Sequence, residues 1–258
     1  MQRYFVTPAM MSADAVSLEG DDARHLATVM RSKPGDCFIA CDGQGREALA
    51  KIVQVDKNNI QAQIIEELSS NVEMGWRITV AQSLPKGDKL ETVIQKGTEA
   101  GAAVFTPFLS ARTIVQYDER KEAKRIERWR KIAKEAAEQS HRALIPEVSA
   151  VCSWKALLTQ FPAYDLILFC YEEEGRKGVG LRDIVEQFQQ RERKETTRIL
   201  IVIGPEGGFT QQEADAAVVA GASLVGLGKR ILRTETAALY ALACLAYASG
   251  ELGGMNNG

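Results

Sequence analysis

Histidine is scarce in this sequence, and its cysteines are not spaced as metal-ligand pairs. The chain has only two histidines, and none of its five cysteines lies in a Cys-x-x-Cys motif. Structural zinc sites use four cysteine or histidine ligands at short spacings, so the sequence predicts no metal site. The odd number of cysteines and their apolar neighbours favour reduced thiols in a cytoplasmic protein.

Long hydrophobic runs and a strong net charge are also missing. No stretch reaches the roughly 20 apolar residues of a transmembrane helix, and residues 1–7 lack the pattern of a signal peptide, so we expect no membrane association. The formal net charge is −2, which argues against a protein that is basic overall. Any nucleic-acid surface is therefore expected to be a local patch.

Short strand-like segments separated by turn signals fill residues 1 to about 70. One helix, predicted at 23–30, interrupts them, and Asp21 or Asp22 is expected to cap it. Several short strands so close together predict a small closed or partly closed β-barrel. The strand candidates are residues 3–6, 37–41, 48–55 and 60–65.

Strand and helix patterns alternate after about residue 75. A strand at 77–83, a helix at 89–100 that ends at Gly101 and a strand at 104–109 predict a βαβ arrangement. A long helix is predicted at 118–142, with Ile126, Trp129, Ala133, Ala136 and Ser140 on one face. Strands are also predicted at 165–170 and 199–203. We therefore expect an α/β domain at 73–252, after a barrel domain at 1–72.

Two glycine-bearing loops, 204–209 and 226–234, each follow an apolar run and precede a helix. Small molecules bind beyond the carboxyl ends of strands in open α/β sheets. Pro205 has no N–H and breaks a dinucleotide fingerprint, while Ser223 and Arg230 occupy positions that a Walker A loop reserves for other residues. Close backbone approach at the glycines suits a flat ligand such as adenine.

Both loops have signals for the start of a helix. Thr210 and Glu213 predict a capping box, and Thr234 is expected to cap the last helix. Taken singly, the first loop is more often a ligand-free turn, Arg233 a surface ion-pair partner and Glu235 a first-turn acid favoured by the helix dipole. The presence of both loops in one C-terminal stretch favours a binding site.

The sequence resembles the ribosomal RNA uridine N3-methyltransferase family, which acts on the small subunit and belongs to the SPOUT superfamily. The resemblance covers nearly the whole chain, and the order and wording of its motifs are specific. The motifs are IGPEGGF at 203–209, LGKRILRTETAAL at 227–239, LPKGDKLETVIQKGTEAG at 84–101, EQSHRALIPEV at 138–148 and HLATVMRSKPGD at 25–36.

The resemblance implies a trefoil-knotted α/β domain, an N-terminal PUA-type barrel, bound S-adenosylmethionine and a homodimer. It implies a substrate within 16S ribosomal RNA, at the decoding region and in the assembled small subunit. The expected RNA contacts are Arg3, His25, Arg31, Lys86, Lys96 and Arg142. The expected cofactor-binding residues are Tyr171, Gly204, Pro205, Glu206, Gly207, Gly208, Leu227, Gly228, Ile231, Leu232, Arg233 and Thr234.

The expected reaction moves a methyl group from a sulfonium to N3 of a uridine. Because an imide N–H titrates above neutral pH, the reaction needs a base or a cation that stabilises the ring anion. Arg233 is the candidate cation, and either Glu235 or Glu206 is the candidate base. The alternatives are a non-catalytic RNA-binding assembly factor, methylation of a different RNA nucleotide and, disfavoured by Pro205, a nucleotide-dependent oxidoreductase.

Overall fold

The computed structural model describes residues 1–56, 58–69, 72–115, 120, 122–173, 180–190 and 196–253. These residues form two compact units. The first contains Met1–Glu73 together with Ala137–Ile145, and the second contains the segments 74–136 and 146 onward. The sequence pattern placed the boundary at 72/73 and gave no sign that the segment 137–145 belongs with the N-terminal unit.

A five-stranded sheet forms the first unit, in the order β1-β3-β4-β5-β2. Strand β1 pairs in parallel with β3, whereas the β3–β4, β4–β5 and β2–β5 pairs are antiparallel. Alternate residues of β4 and β5 are buried, as expected for strands with one face on a core. The strands are β1 (Arg3–Phe5), β2 (Ala15–Glu19), β3 (Cys37–Cys41), β4 (Glu47–Val55) and β5 (Asn59–Leu68).

The predicted helix at 23–30 begins earlier than expected. Helix α1 spans Gly20–Arg24 and continues as a π-helical turn at His25–Val29. Its N-cap is Glu19, so the expected cap at Asp21 or Asp22 is wrong. Both aspartates lie in the first turn, where the helix dipole favours negative charge. Strand β2, which directly precedes this helix, was not predicted.

A seven-stranded parallel sheet forms the second unit, in the order β12-β10-β11-β6-β7-β8, with β9 also paired to β7. The predicted α/β fold is therefore confirmed. The two-residue strands β8 and β9 were not predicted. The strands are β6 (Trp76–Ser83), β7 (Val104–Leu109), β8 (Glu147–Val148), β9 (Cys152–Ser153), β10 (Leu166–Cys170), β11 (Thr197–Ile203) and β12 (Ser223–Val225).

Helices cover this sheet and bury the central strands. Residues 199–203 of β11 are all buried, as predicted for a strand inside a covered parallel sheet. Of the predicted face, Ile126, Trp129, Ala133 and Ala136 are buried, whereas Ser140 is half-buried and lies beyond the end of the helix at Gln139. The helices are α2 (Lys89–Glu99), α3 (Glu122–Gln139), α4 (Trp154–Leu158), α5 (Leu181–Gln189), α6 (Gln211–Val219) and α7 (Thr234–Ser249).

Helix α7 is apolar on most of its surface and packs on the sheet through Ala238, Ala241, Leu242 and Leu245, which are fully buried. No helix in the described segments has both the length and the hydrophobicity of a membrane span. The trefoil knot stays a prediction.

Candidate cofactor-binding and catalytic site

The carboxyl ends of the parallel strands β6, β7, β10, β11 and β12 lie at one edge of the second unit's sheet. Since all these strands run in the same direction, the loops that follow them must meet there. These loops include both glycine-bearing segments, 204–209 and 226–233. The sheet thus brings together the two stretches that the sequence singled out.

The 204–209 loop turns sharply over a buried phenylalanine. Gly208 N–H donates to Pro205 O at 2.9 Å, and Gly208 has a φ of +64°. A Cβ atom on Gly204 would lie 3.2 Å from the ring of Phe209, a tight contact that a side chain could make only if the ring or the loop gave by a few tenths of an ångström. Phe209 is buried against Phe169, with ring centroids 4.2 Å apart. Aromatic packing therefore fixes the path of the loop.

The predicted capping box at the start of α6 is confirmed. Thr210 accepts a hydrogen bond from Glu213 N, and Glu213 Oε2 accepts one from Thr210 N at 2.9 Å. The other carboxylate oxygen, Oε1, accepts from Ala111 N at 2.8 Å. Glu213 therefore also joins the loop after β7 to the loop after β11, a connection that the local motif did not indicate.

Thr234 does not cap α7, and that expectation is wrong. Arg233 is the N-cap residue, and Thr234 is the first residue of the helix. Thr234 Oγ1 instead donates to Gly204 O at 2.6 Å, and Gln82 Nε2 donates to Thr234 Oγ1 at 2.8 Å. The Thr234 hydroxyl therefore bonds to the first loop and not to the backbone of its own helix, so the two predicted loops are in direct contact.

Arg233 and Glu235 flank Thr234 at the start of α7. The Arg233 side chain is exposed and makes no capping hydrogen bond. A helix dipole disfavours a cation at this end, so local helix stability does not account for an arginine here. Glu235 Oε2 is buried and has no hydrogen-bond partner among the described residues. Helix stability therefore accounts for an acid at Glu235, although not for the missing partner of its Oε2, and it does not account for Arg233.

Glu206 is tied to the loop that follows β6. Its Oε1 accepts from Lys86 N at 3.0 Å and from Lys89 Nζ at 2.6 Å. Partial burial raises the pKa of this carboxyl, but the hydrogen bonds from Lys89 and from backbone N–H groups, with the Lys89 charge, outweigh it and hold the pKa below its usual value. A carboxylate held in this way is a poor proton acceptor and a good loop anchor.

Arg112 belongs to the same edge and was not predicted. Its Nη1 donates to Gly207 O at 2.8 Å, and a Cβ atom on Gly207 would lie 3.4 Å from the Arg112 Cβ. Arg112 follows β7, so a third loop contacts the 204–209 segment. The sequence offered no signal for it beyond an arginine three residues after a strand end.

The remaining predicted cofactor residues lie at this edge or in the 226–233 loop. Tyr171 directly follows β10 and is buried, with its N–H on Val225 O at 2.9 Å and its hydroxyl on Gln211 Oε1 at 3.3 Å. Leu227 and Leu232 are half-buried, whereas Gly228 and Ile231 are exposed. Ile231 is 75% exposed, so this end of the loop lies open to solvent.

Two of the predicted RNA-contacting arginines are buried in the first unit. Arg3 forms an ion pair with Glu47 and donates to Arg142 O at 3.0 Å. Arg142 Nη2 lies 2.5 Å from Glu73 Oε2. Arg3 is 8% exposed and Arg142 is 5% exposed, so these side chains hold the unit together and present little surface to RNA. Their partners lie far away in sequence, which is why the pattern did not reveal them.

The other predicted RNA contacts are accessible. His25 and Arg31 are exposed, and His25 Nδ1 lies 2.7 Å from the hydroxyl of buried Tyr4. In the second unit, Lys86 is exposed, and Lys96 is exposed but paired with Glu99 at 2.8 Å. Within the described residues, no group of His, Cys, Asp or Glu side chains is arranged to hold a metal ion.

Comparison with known proteins places the chain in a family. A family model described as an RNA methyltransferase domain matches residues 72–246, and one described as an RNA methyltransferase PUA domain matches residues 18–65. Ribosomal RNA small subunit methyltransferase E of Bacillus subtilis is 41% identical over 98% of this chain and 99% of its own length. The chain belongs to the ribosomal RNA small subunit methyltransferase E family. The N-terminal unit is accordingly a small PUA-like domain.

Other relatives and solved structures show the same relationship. The Mycobacterium bovis member is 33% identical over 92% of this chain and 88% of its own length. A Neisseria gonorrhoeae member, solved bound to S-adenosylmethionine, superposes with a TM-score of 0.82 at 33% identity, covering 96% of this chain and 97% of its own. A Legionella pneumophila methyltransferase, solved with the same cofactor, superposes with a TM-score of 0.84 at 30% identity, covering 96% of this chain and 98% of its own.

Proposed function

We propose that this protein transfers a methyl group from S-adenosylmethionine to N3 of a uridine in the 16S RNA of the small ribosomal subunit. The contact between Thr234 Oγ1 and Gly204 O, at 2.6 Å, is the observation that carries the proposal. It joins the two glycine-bearing loops into one site at the carboxyl edge of a parallel sheet, where α/β proteins bind small molecules. Family membership supports the choice of cofactor and of RNA.

The residues at this edge fit the cofactor. Gly204, Gly207 and Gly208 give the backbone of the first loop the freedom to approach a flat ring closely, and a Cβ atom on Gly204 would already lie 3.2 Å from the Phe209 ring. Leu227 and Leu232 supply half-buried apolar surface from the second loop. The two loops would hold the adenosine, and Pro205 in the first loop and Gly228 and Ile231 in the second would contribute to the same surface. Tyr171 would support them from the end of β10.

The chain's own charged groups provide the chemistry at the acceptor. S-adenosylmethionine supplies an electrophilic methyl group on a sulfonium, which is already a good leaving group. Arg233 stabilises the negative charge that develops on a uracil carbonyl oxygen when the N3 proton leaves. Glu235 accepts that proton, because its Oε2 is buried and has no hydrogen-bond partner among the described residues, which leaves it available to a substrate N–H. Glu206 is the weaker candidate, since Lys86 N–H and Lys89 already occupy its Oε1.

We infer that exposed basic groups contact the RNA backbone. His25 and Arg31 in the first unit and Lys86 in the second unit are the accessible members of the predicted set. Each phosphate that they neutralise adds affinity that falls with salt and carries no sequence preference. Sequence choice would come from the pocket that receives the uridine.

The active form is proposed to be a homodimer. Tyr240, Ala243 and Tyr247 lie on one face of α7 at helical spacing, and they are exposed although the helix is otherwise apolar. A second copy of this chain would cover that face. Light scattering on the purified protein should give twice the monomer mass, and a Tyr240→Glu/Tyr247→Glu variant should shift toward the monomer. A monomeric wild-type protein at micromolar concentration contradicts the dimer.

Methyl transfer to purified small subunits tests the function directly. The protein is incubated with S-adenosylmethionine and with subunits from cells that lack this enzyme, and the RNA is digested and mapped by mass spectrometry. We expect one methyl group on N3 of one uridine. Methylation of another atom would refute the N3 assignment. The absence of cofactor binding in a calorimetric titration would favour the non-catalytic RNA-binding alternative.

A further inference from the structure

Gln82 is a polar residue in the most buried part of the sheet. It is the penultimate residue of β6, pairs in register with Ile203 of β11 and Pro107 of β7, and is 1% exposed. Buried polar side chains are retained where their hydrogen bonds specify a structure or serve a ligand. Gln82 thus stands at the carboxyl edge, directly beneath the two loops.

The amide nitrogen of Gln82 bonds to both loops. Nε2 donates to Thr234 Oγ1 at 2.8 Å, to Ser83 O at 3.0 Å and, at the longer distance of 3.4 Å, to Gly204 O. Thr234 Oγ1 donates in turn to Gly204 O at 2.6 Å. One side chain therefore connects the first residue of the 204–209 loop to the first residue of α7.

The chemistry of these groups fixes the orientation of the amide. Because the single Thr234 hydroxyl proton is used on Gly204 O, Thr234 Oγ1 can only accept from Gln82. The carbonyl oxygens of Ser83 and Gly204 also only accept. All these partners therefore require the N–H₂ group of Gln82 on that side, and a rotated amide would place an oxygen against acceptors.

The opposite end of the amide is not satisfied. Gln82 Oε1 is buried and has no hydrogen-bond partner in the described segments of the chain. Leaving a buried acceptor unpaired costs stability, so a residue that serves only packing would be better replaced by an apolar one. The position keeps an amide because the amide donates to the two loops.

We propose that Gln82 is a positioning residue that holds the 204–209 loop and the N-terminus of α7 at the spacing that S-adenosylmethionine requires. The inference rests on the proposed function for the identity of the ligand, although the connection itself exists in the ligand-free chain. Arg233 and Glu235 flank Thr234, so the same connection fixes their backbone relative to the loop. Gln82 itself touches no reacting atom and acts through Thr234 and Gly204.

Paired substitutions test the connection. Gln82→Met keeps the side-chain volume and removes the hydrogen-bond donor. Thr234→Val removes the hydroxyl, whereas Thr234→Ser retains it. The matched control is Thr79→Val, because Thr79 is equally buried on the same strand and lies outside the site. Binding of S-adenosylmethionine is measured by calorimetry, and hydrogen exchange of residues 204–210 and 234–236 is measured without ligand.

Gln82→Met and Thr234→Val should each weaken cofactor binding about tenfold, the size expected for one lost hydrogen bond between loops. The double variant should be about as weak as either single variant, because both break one connection. Thr234→Ser should recover most of the affinity, and kcat at saturating cofactor should fall less than KM rises. Both peptides should exchange faster in the two disruptive variants and not in Thr79→Val.

Two results would overturn the inference. One is unchanged cofactor affinity and unchanged exchange in folded Gln82→Met, and the other is fully additive losses in the double variant. If Gln82→Met does not fold, the Thr234→Val and Thr234→Ser pair tests the same connection from its other end. The two proposals can fail separately. If the disruptive variants exchange faster and bind the cofactor differently, but the wild-type protein methylates no uridine N3, the positioning role of Gln82 is supported and the proposed function is refuted.

Discussion

Glu206 Oε1 lies 2.6 Å from Lys89 Nζ, and this ion pair connects the glycine-bearing loop after β11 to the start of α2. The same oxygen accepts the backbone N–H of Lys86. Its position in a conspicuous motif made Glu206 a candidate base in the sequence. The contacts instead describe a carboxylate that is held charged and in place.

Glu206→Gln should therefore affect binding more than chemistry. The amide cannot balance the charge of Lys89, so the loop loses one of its anchors, and the affinity for S-adenosylmethionine should fall about three- to tenfold. The value of kcat at saturating cofactor should stay within about threefold of wild type, because general-base loss costs about a hundredfold or more. Single-turnover kinetics make the comparison, and a hundredfold loss of kcat would identify Glu206 as the base.

Glu235→Gln should have the opposite effect. The substitution keeps the shape of a half-buried side chain whose Oε2 is buried, but removes its ability to accept a proton. The methyl-transfer rate should fall about a hundredfold or more, with cofactor affinity nearly unchanged. Raising the pH toward the pKa of the uridine imide should recover part of the rate, because a larger fraction of the uridine is then already deprotonated at N3 and needs no base. A pH-independent loss would assign Glu235 a structural role instead.

Arg233→Ala should leave cofactor binding nearly intact and reduce methyl transfer strongly. Arg233 is exposed at the positive end of a helix, where only an interaction with negative charge favours it. Removing one donor of this kind typically costs about a hundred- to a thousandfold in rate. Arg230→Ala is the matched control, since Arg230 is also exposed in the same loop. Equal losses of binding and rate would mean that Arg233 shapes the cofactor pocket.

Gly204→Ala should damage the site without unfolding the domain. A Cβ atom there would lie 3.2 Å from the Phe209 ring and 3.3 Å from the carbonyl carbon of Gly208. To relieve these contacts the ring or the loop must give by a few tenths of an ångström, and we expect the loop to shift relative to Thr234. Cofactor affinity should fall more than tenfold, while the thermal midpoint drops by only a few degrees, about 1 kcal/mol of stability. Gly75→Ala outside the site is the control, because Gly75, like Gly204, has no positive φ and a Cβ atom there would meet nothing within 4 Å.

Cys41 supplies a pH-dependent prediction for the first unit. Burial raises the pKa of this thiol to about 12, although the nearby Arg3 charge opposes the shift and Glu47 adds to it. A pKa raised by folding stabilises the protein below the unfolded thiol's pKa, and this contribution disappears as the pH rises toward 12. At pH 9, iodoacetamide should alkylate half-buried Cys37 at least tenfold faster than Cys41. Peptide mapping measures both, and equal rates would contradict the prediction.

Local patterns predicted the elements that depend on neighbouring residues. The branched-aliphatic run of β11 and the Thr210–Glu213 capping box follow from residues within one turn or one strand. Thr234 could not be predicted in the same way, because its partners are Gly204, 30 residues before it, and Gln82, 152 residues before it. Single polar residues in apolar strands, such as Gln82, are the one sequence signal that could have pointed to such contacts.

The arginines show the same limit. Arg3 and Arg142 look like surface residues because an isolated arginine is usually solvated. Their burial depends on Glu47, which lies 44 residues from Arg3, and on Glu73, which lies 69 residues from Arg142. Charge pairing across such separations leaves no periodic signature, so composition and spacing alone could not reveal it.

The segment 137–145 gives the N-terminal unit a discontinuous sequence. Glu73 Oε1 accepts the N–H groups of Ala143 and Leu144, and Glu138 accepts the N–H of Phe5. A fragment that ends at residue 72 would lose both acceptors, Glu73 and Glu138. It would also expose the ring of Phe5, which packs against Ala137 and Ile145. Anyone who wishes to graft this N-terminal unit onto another protein must therefore carry two separate pieces of chain, not one.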